Sequence, residues 1–281
     1  MESEKFLLAK LLNRQYTQEN FDAIKEAEYK IYSQFGDDGI IQYLINKLDI
    51  KDKTFIEFGV ENYRESNTRF LLENNNWSGF VMDGSPKNIE QIETSSFYWR
   101  HDLMAKSAFI TADNINELIL NAGFTGNIGI LHVDIDGNDY YVWKAIDVVT
   151  PSIAIIEYNS VFGKERAITI PYDPNFQRTK AHYSNLYAGS SLLSLIDLSK
   201  EKGYSFIGSN SAGNNAYFIR KELVGEIKEI SIDEGYEESK FRESRDRKGR
   251  LTFLRGIDRL NFLKSEKLQV FNTRTNKLES L

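Results

Sequence analysis

The chain has no cysteine among its 281 residues. That removes a disulfide framework, cysteine-ligated zinc, iron–sulfur clusters and a thiol nucleophile together. Histidine is nearly as scarce. His101, His132 and His182 are the only three, and no two stand four apart on a helix face, so a bound metal would be held mainly by oxygen. Basic residues are not in excess: 35 Lys and Arg face 41 Asp and Glu, a net charge of −6. Nucleic-acid binding normally needs a basic face, and no nucleic-acid partner is expected. No apolar run approaches the roughly 18–20 residues that span a bilayer. Near the start, Phe6-Leu7-Leu8-Ala9 is cut short by Lys10 and lacks the small-residue pattern of a cleaved leader. A soluble, cytoplasmic protein without a membrane span is the expectation.

What is present reads as an α/β protein. Apolar residues recur at helical spacing through residues 3–32, at Phe6, Leu7, Leu11 and Leu12 and again after Thr17 at Phe21, Ile24, Ala27 and Ile31. A second helix is expected from Asp38 to Leu48. Four short apolar runs follow: Thr54–Gly59, Gly79–Asp83, Ile128–Asp136 and Ser152–Tyr158. Helical stretches lie between them, at Ser66–Asn74, Pro86–Glu93, Asn114–Asn121 and Tyr140–Ile146. Strands that are apolar on both faces and alternate with helices indicate a doubly wound, mostly parallel sheet covered on each side. A further strand is expected near Trp99–Leu103. Beyond a helix at Ser190–Lys202, Tyr204–Ser209 and Asn215–Arg220 flank a Gly/Asn-rich turn and predict an antiparallel hairpin at the sheet's edge. The expected organisation is therefore a helical cap over residues 1–32, a core over 33–221, and a charged extension over 222–281. The extension reads as a mobile or extended stretch followed by a helix near Leu251–Leu263.

In an open parallel sheet, ligands bind beyond the carboxyl ends of the strands. Those ends carry one carboxylate after another: Glu57, Asp83, Asp102, the run Asp134-Ile135-Asp136-Gly137-Asn138-Asp139, and Glu157. Clustered carboxylates repel unless donors or a cation separate them. Asp83, about two dozen residues past the first glycine turn, suits a ribose diol. The turn itself, Gly59-Val60-Glu61-Asn62-Tyr63-Arg64, is not GxGxxG, and Glu61 works against a pyrophosphate. An adenosine cofactor without phosphates fits better, and S-adenosylmethionine (SAM), with its cationic groups, suits an acidic rim.

Several segments resemble a known family. Ser33-Gln34-Phe35-Gly36-Asp37-Asp38-Gly39, Phe55-Ile56-Glu57-Phe58-Gly59, Glu65-Ser66-Asn67-Thr68, Trp77-Ser78-Gly79, His132–Tyr140 and Glu157-Tyr158-Asn159 resemble the FkbM-type class I SAM-dependent methyltransferases, over roughly Ser33 to Arg220. The chain departs from many methyltransferases where Tyr63-Arg64 replaces a glycine after Gly59. The resemblance implies a Rossmann-like fold and O-methylation of a sugar or sugar nucleotide, for a surface polysaccharide, such as a capsular one, or a secondary metabolite. It places Glu57 and Gly59 at the cofactor's methionine part, Asp83 on the ribose with Ser85 beside it, and Asp102 at the adenine. Asp134 would border the cofactor and, as in metal-dependent sugar O-methyltransferases, bind Mg²⁺ or Mn²⁺ with Glu157 and Asn159, while Asp136 acts as base.

Two features qualify these roles. Asp136-Gly137-Asn138-Asp139 also reads as a plain turn capping the helix at Tyr140. His182 is an alternative base, in the loop Gly163–Gly189. There Tyr172, Asp173, Arg178, Tyr183 and Tyr187 offer what a sugar ring needs. The rival readings are a nucleotide-sugar-binding transferase or oxidoreductase on a similar sheet, and a non-catalytic partner protein. A homodimer is compatible with any of them.

Overall fold

The computed structural model describes residues 2–16 and 18–281; Met1 and Thr17, where the N-terminal helical pattern was expected to resume, lie outside the described residues. The chain runs α1 (Glu2–Tyr16), α2 (Asp37–Lys47), β1 (Thr54–Phe58), α3 (Arg69–Asn75), β2 (Ser78–Asp83), α4 (Pro86–Glu93), β3 (Leu103–Ser107), α5 (Ile115–Asn121), β4 (Gly126–Val133), α6 (Asp139–Ala145) and β5 (Val149–Glu157). It continues through β6 (Ile168–Thr169), α7 (Arg178–Ala181), α8 (Leu192–Glu201), β7 (Tyr204–Ser209), β8 (Asn215–Arg220), α9 (Ile232–Gly235), α10 (Ile257–Ser265), β9 (Gln269–Asn272) and β10 (Lys277–Ser280). Seven strands form one sheet in the order β3-β2-β1-β4-β5-β8-β7, and β10-β9-β6 form a second. The first five strands of the main sheet are parallel, and β8 pairs antiparallel with both β5 and β7.

The apolar runs are explained by burial on both faces. Phe55, Val81, Ile130, Ile153 and Ile155 point to one side, where α2 adds Ile40, Ile41 and Leu44. Their neighbours Ile56, Phe58, Phe80, Met82, Leu131 and Ile156 point to the other, against Ile115 of α5, Trp143 of α6 and Leu195 of α8. Alternate strand residues feed opposite cores, so no polar period survives.

The third strand lies later than expected, at Leu103–Ser107 instead of Trp99–Leu103. It is an edge strand whose outer residues meet solvent, so the sequence Leu-Met-Ala-Lys-Ser never reads as a buried run. The N-terminal helix ends at Tyr16, and between residues 18 and 36 only a 3₁₀ turn, Ile24–Ala27, follows. Residues 222–281 are tied down. Leu263 and Val270 join Ile168, Ile170 and Leu186 in a third apolar core, and β9 pairs with β6 inside the Gly163–Gly189 segment.

The Ser33–Gly39 motif is a structural joint. Asp38 Oδ2 accepts the N–H groups of Ile31, Tyr32 and Ser33 and the Ser33 hydroxyl. Asp37 accepts from the Asn210 and Asn215 amides and the Tyr217 hydroxyl, bolting α2 to the hairpin turn. Gly39 passes so near the Ala27 carbonyl that a Cβ would lie 2.0 Å from it.

Candidate functional site

A cavity of about 740 Å³ opens at the carboxyl ends of β1, β2, β4 and β5, in the size range of small-molecule sites. Its floor depends on Gly59, which takes φ +73° and approaches β4 so closely that a Cβ would sit 1.7 Å from the Asp134 carbonyl oxygen. The turn that follows it, Val60–Arg64, has no glycine. Glu61 and the buried Tyr63 both adopt left-handed backbone, a conformation costing roughly 1 kcal/mol or more for such residues. Burial of the Tyr63 ring and its hydroxyl contact to Thr68 at 2.9 Å hold that turn in place. This is how the chain replaces the missing glycine.

Glu57 faces inward at the end of β1, yet its oxygens are already engaged. They accept the Ser66 hydroxyl at 2.6 Å, the Asn67 N–H at 2.9 Å, the Thr68 N–H and hydroxyl, and the His132 Nδ1–H at 2.9 Å. Burial alone would raise its pKa; the bonds from His132, Ser66 and Thr68, with the attraction of His132, turn the shift downward. Glu57 thus orders the Ser66–Thr68 loop beside the cavity. His132 is the other half of the pair: burial disfavours its cation, but Glu57 outweighs that and its pKa moves up.

Asp83 lines the cavity at the tip of β2. Its Oδ1 accepts the Ser85 N–H and the Asn88 amide, and its Oδ2 accepts the Glu61 N–H. A carboxylate oxygen can accept twice, so Oδ2 keeps room for one hydroxyl. Ser85 caps α4 with its side chain and does not border the cavity. Asp102 lies at the opposite rim: its carbonyl accepts the N–H of Gly79 at the start of β2, so it cannot meet an adenine bound at the carboxyl ends. With β3 shifted, Ala108, Phe109 and Ile110 occupy that wall instead. Only the mistaken strand boundary hid them.

The far wall gathers carboxylates. Asp134, Asp139 and Glu157 each present an oxygen within 4.8 Å of the others. Asp139, read in the sequence as part of the acidic run but given no ligand role, also organises the turn by accepting the N–H groups of Ile135 and Gly137. Burial, then the charge of Asp136, raises Asp134 to about 6. Burial, then Asp134, raises Asp139 to about 7, and Glu157 is pushed well up by burial and the same neighbours. A shared proton or a cation would relieve this crowding. Asn159 does not join them. Its oxygen accepts the Val161 N–H and its amide donates to the Leu186 and Ala188 carbonyls, leaving it a structural link.

Asp136 reaches the cavity from a left-handed position, φ +56°. One of its oxygens binds the Arg178 guanidinium at 2.6 Å. Arg178 also holds the Asn185 carbonyl. His182 lies elsewhere. It is buried against Tyr183 and Phe262, with Nδ1 on the Ser184 hydroxyl at 2.7 Å, and it does not line the cavity. The loop folds back onto α10, which carries His182 away from the strand ends. Tyr172, Tyr183 and Tyr187 are likewise spent on Asp113, Arg247 and Gln269.

The last wall comes from far along the chain. Ser239, Phe241, Glu243 and Arg259 border the cavity. This strap is anchored where the Tyr158 and Tyr236 hydroxyls donate to the Glu237 and Ser160 carbonyls. Buried Arg259 clamps it by donating to Ser239 and Phe241, and Phe241 meets Phe35 edge-on at 4.9 Å.

No protein-family model matches the sequence, and no curated protein does. Solved structures are similar in fold. The N-terminal domain of EvdMO1 with SAH bound aligns over 75% of this chain and 94% of its own, at 11% identity and a TM-score of 0.44. The CurJ carbon methyltransferase aligns over 70% of this chain and 57% of its own, at 8% identity and 0.43. A SAM-dependent methyltransferase from Clostridium acetobutylicum aligns over 59% and 82%, at 8% identity and 0.36. The strand order of the main sheet, with its antiparallel closing hairpin, is that of the class I SAM-dependent methyltransferase fold.

Proposed function

We propose that the chain is a SAM-dependent O-methyltransferase acting on a sugar or sugar nucleotide, assisted by a divalent cation. The observation that carries this reading is the Asp134–Asp139–Glu157 cluster, set across one cavity from the Gly59–Asp83 rim. The rim suits SAM on three counts. Gly59 lets the cofactor lie against backbone, Asp83 Oδ2 has room for a ribose hydroxyl, and Ala108–Ile110 offer apolar surface for an adenine. When bound, SAM supplies an electrophilic methyl group on a sulfonium, whose charge the acidic wall favours.

The far wall suits the acceptor. A divalent ion on Asp134, Asp139 and Glu157 would neutralise their crowding and make a nearby hydroxyl more acidic. Asp136 is then the group that takes the hydroxyl proton, through the oxygen that Arg178 leaves free, while Arg178 fixes its direction. Asn67, Asn138, Asn185 and Gln34 supply further polar partners for a polyol.

The test is transfer of a labelled methyl group from SAM to a panel of nucleotide sugars, with and without EDTA. Turnover that needs Mg²⁺ or Mn²⁺ supports the reading. Full turnover after chelation removes the ion and passes the base role to the Asp134–Glu157 pair. No transfer to any hydroxyl acceptor by a chain that binds SAM would contradict the acceptor class.

A further inference from the structure

Residues 240–255 invert the character of the chain. They hold seven cations (Lys240, Arg242, Arg245, Arg247, Lys248, Arg250, Arg255) against only Glu243 and Asp246, in a protein whose net charge is −6. They also expose large apolar side chains: Leu251 is 45% exposed, Phe253 51% and the adjoining Ile257 64%. The segment is a built element. Ser244 and Thr252 pair across a hairpin, and Asp246 holds its tip through the Lys248 and Arg250 N–H groups. Phe253 sits at φ +55°, a conformation poorly suited to a bulky residue, with the Arg242 guanidinium 5.4 Å from its ring centre. An exposed aromatic ring kept in a strained position gives little to the fold and much to a surface.

We propose that this hairpin docks the protein on an anionic lipid surface. Cations attract the headgroups, and apolar side chains beside them enter the interface, the combination that peripheral anchors use. A shallow depression there sets four cations, Arg245, Arg247, Lys248 and Arg250, with the single carboxylate of Asp246, beside the apolar Leu254 and Phe262, and its excess of positive charge suits a headgroup phosphate. Each ion pair there, Arg245–Glu243, Arg247–Glu266 and Arg250–Asp246, has at least one exposed partner, and such surface pairs contribute little and yield readily to phosphate. The exposed apolar residues favour a lipid surface over a soluble polyanion, which would need only the charge. Phe241 and Glu243, which border the cavity, belong to the same segment, so docking brings the cavity rim to the membrane surface. The proposal is independent of the reaction assigned to the site.

The test is sedimentation of the full chain with phosphatidylglycerol-containing and with pure phosphatidylcholine vesicles. Binding to the anionic vesicles alone, weakening as salt rises, is expected. Lys240→Glu with Lys248→Glu should lower it by at least about 25-fold, since each cation near such a surface contributes about fivefold. Phe253→Asn should lower it about tenfold while thermal stability holds or rises, because asparagine tolerates the left-handed backbone. Absence of binding, or binding that neither variant changes, overturns the proposal. Binding to a soluble polyanion such as heparin that depends on the lysines and ignores Phe253 overturns it in favour of a non-lipid partner.

Discussion

Replacing Asp139 by asparagine removes one of three crowded charges but keeps one of the two oxygens that hold the Ile135–Gly137 turn. In the folded chain the Asp139 carboxyl is raised from 3.8 to about 7, first by burial and then by Asp134. The folded state therefore binds more protons than the unfolded state between those values. Its stability falls as pH climbs from about 4 to about 7; the penalty is absent below that window and complete above it. A displacement of that size is worth at most about 4 kcal/mol, and coupling to Asp134 and Glu157 shares it among three groups. Against this, the variant deprives one backbone N–H of its acceptor, at about 1–3 kcal/mol. At about pH 3, below both values, only the loss remains and the variant should be less stable by about 1–3 kcal/mol. At about pH 8.5 relief of the charge should outweigh the loss, and the variant should equal or exceed the parent. Urea unfolding in EDTA at both pH values measures the difference. A ΔΔG of the same sign and size at both would refute the claim that like charge crowds this cluster. With Mg²⁺ or Mn²⁺ added, the parent should gain stability by mass action and the variant should gain much less.

Gly59→Ala would drive a Cβ into the Asp134 carbonyl at a left-handed position; destabilisation of about 4 kcal/mol or more should show as loss of soluble protein or a large fall in Tm, and a normal Tm would count against the close β1–β4 approach. Asp136→Asn should cut kcat by about 10²–10⁴ with SAM binding nearly unchanged, and an unaltered kcat would return Asp136 to a turn-forming role. His182→Ala should lower stability by about 1–3 kcal/mol and leave acceptor KM unchanged, because the ring packs on Phe262 outside the cavity; a selective change in KM would place it back in the site.

The strands β1, β2, β4 and β5 were legible because residues of both parities are apolar, which only burial on two faces requires. β3 was not, because an edge strand needs only half of that pattern, and the shifted boundary hid that Ala108–Ile110, and not Asp102, line the cavity. The acidic strand ends were legible as a set, but their division of labour was not. Glu57 looks free until Ser66, Asn67 and Thr68, which follow it in the sequence, are seen folded onto it. Asp139 looks like an ordinary acid in the first turn of a helix, and only the fold returns it to Asp134 and Glu157. Asn159 and His182 lie outside the regular strands and helices, where neighbours from distant segments set the direction of a side chain. The same holds for Phe241, Glu243 and Arg259. They reach the cavity across a separation of more than eighty residues from β5, and no local period announces that.

Titration calorimetry of the full chain with SAM is the decisive measurement. One site per chain, competition by S-adenosylhomocysteine, and a loss of about 1.5–3 kcal/mol in affinity for Asp83→Ala, the usual worth of a hydrogen bond to a charged group, are expected. Failure of the folded chain to bind SAM, or binding of a nicotinamide dinucleotide or a nucleotide sugar in its place with the same dependence on Asp83, would contradict SAM dependence.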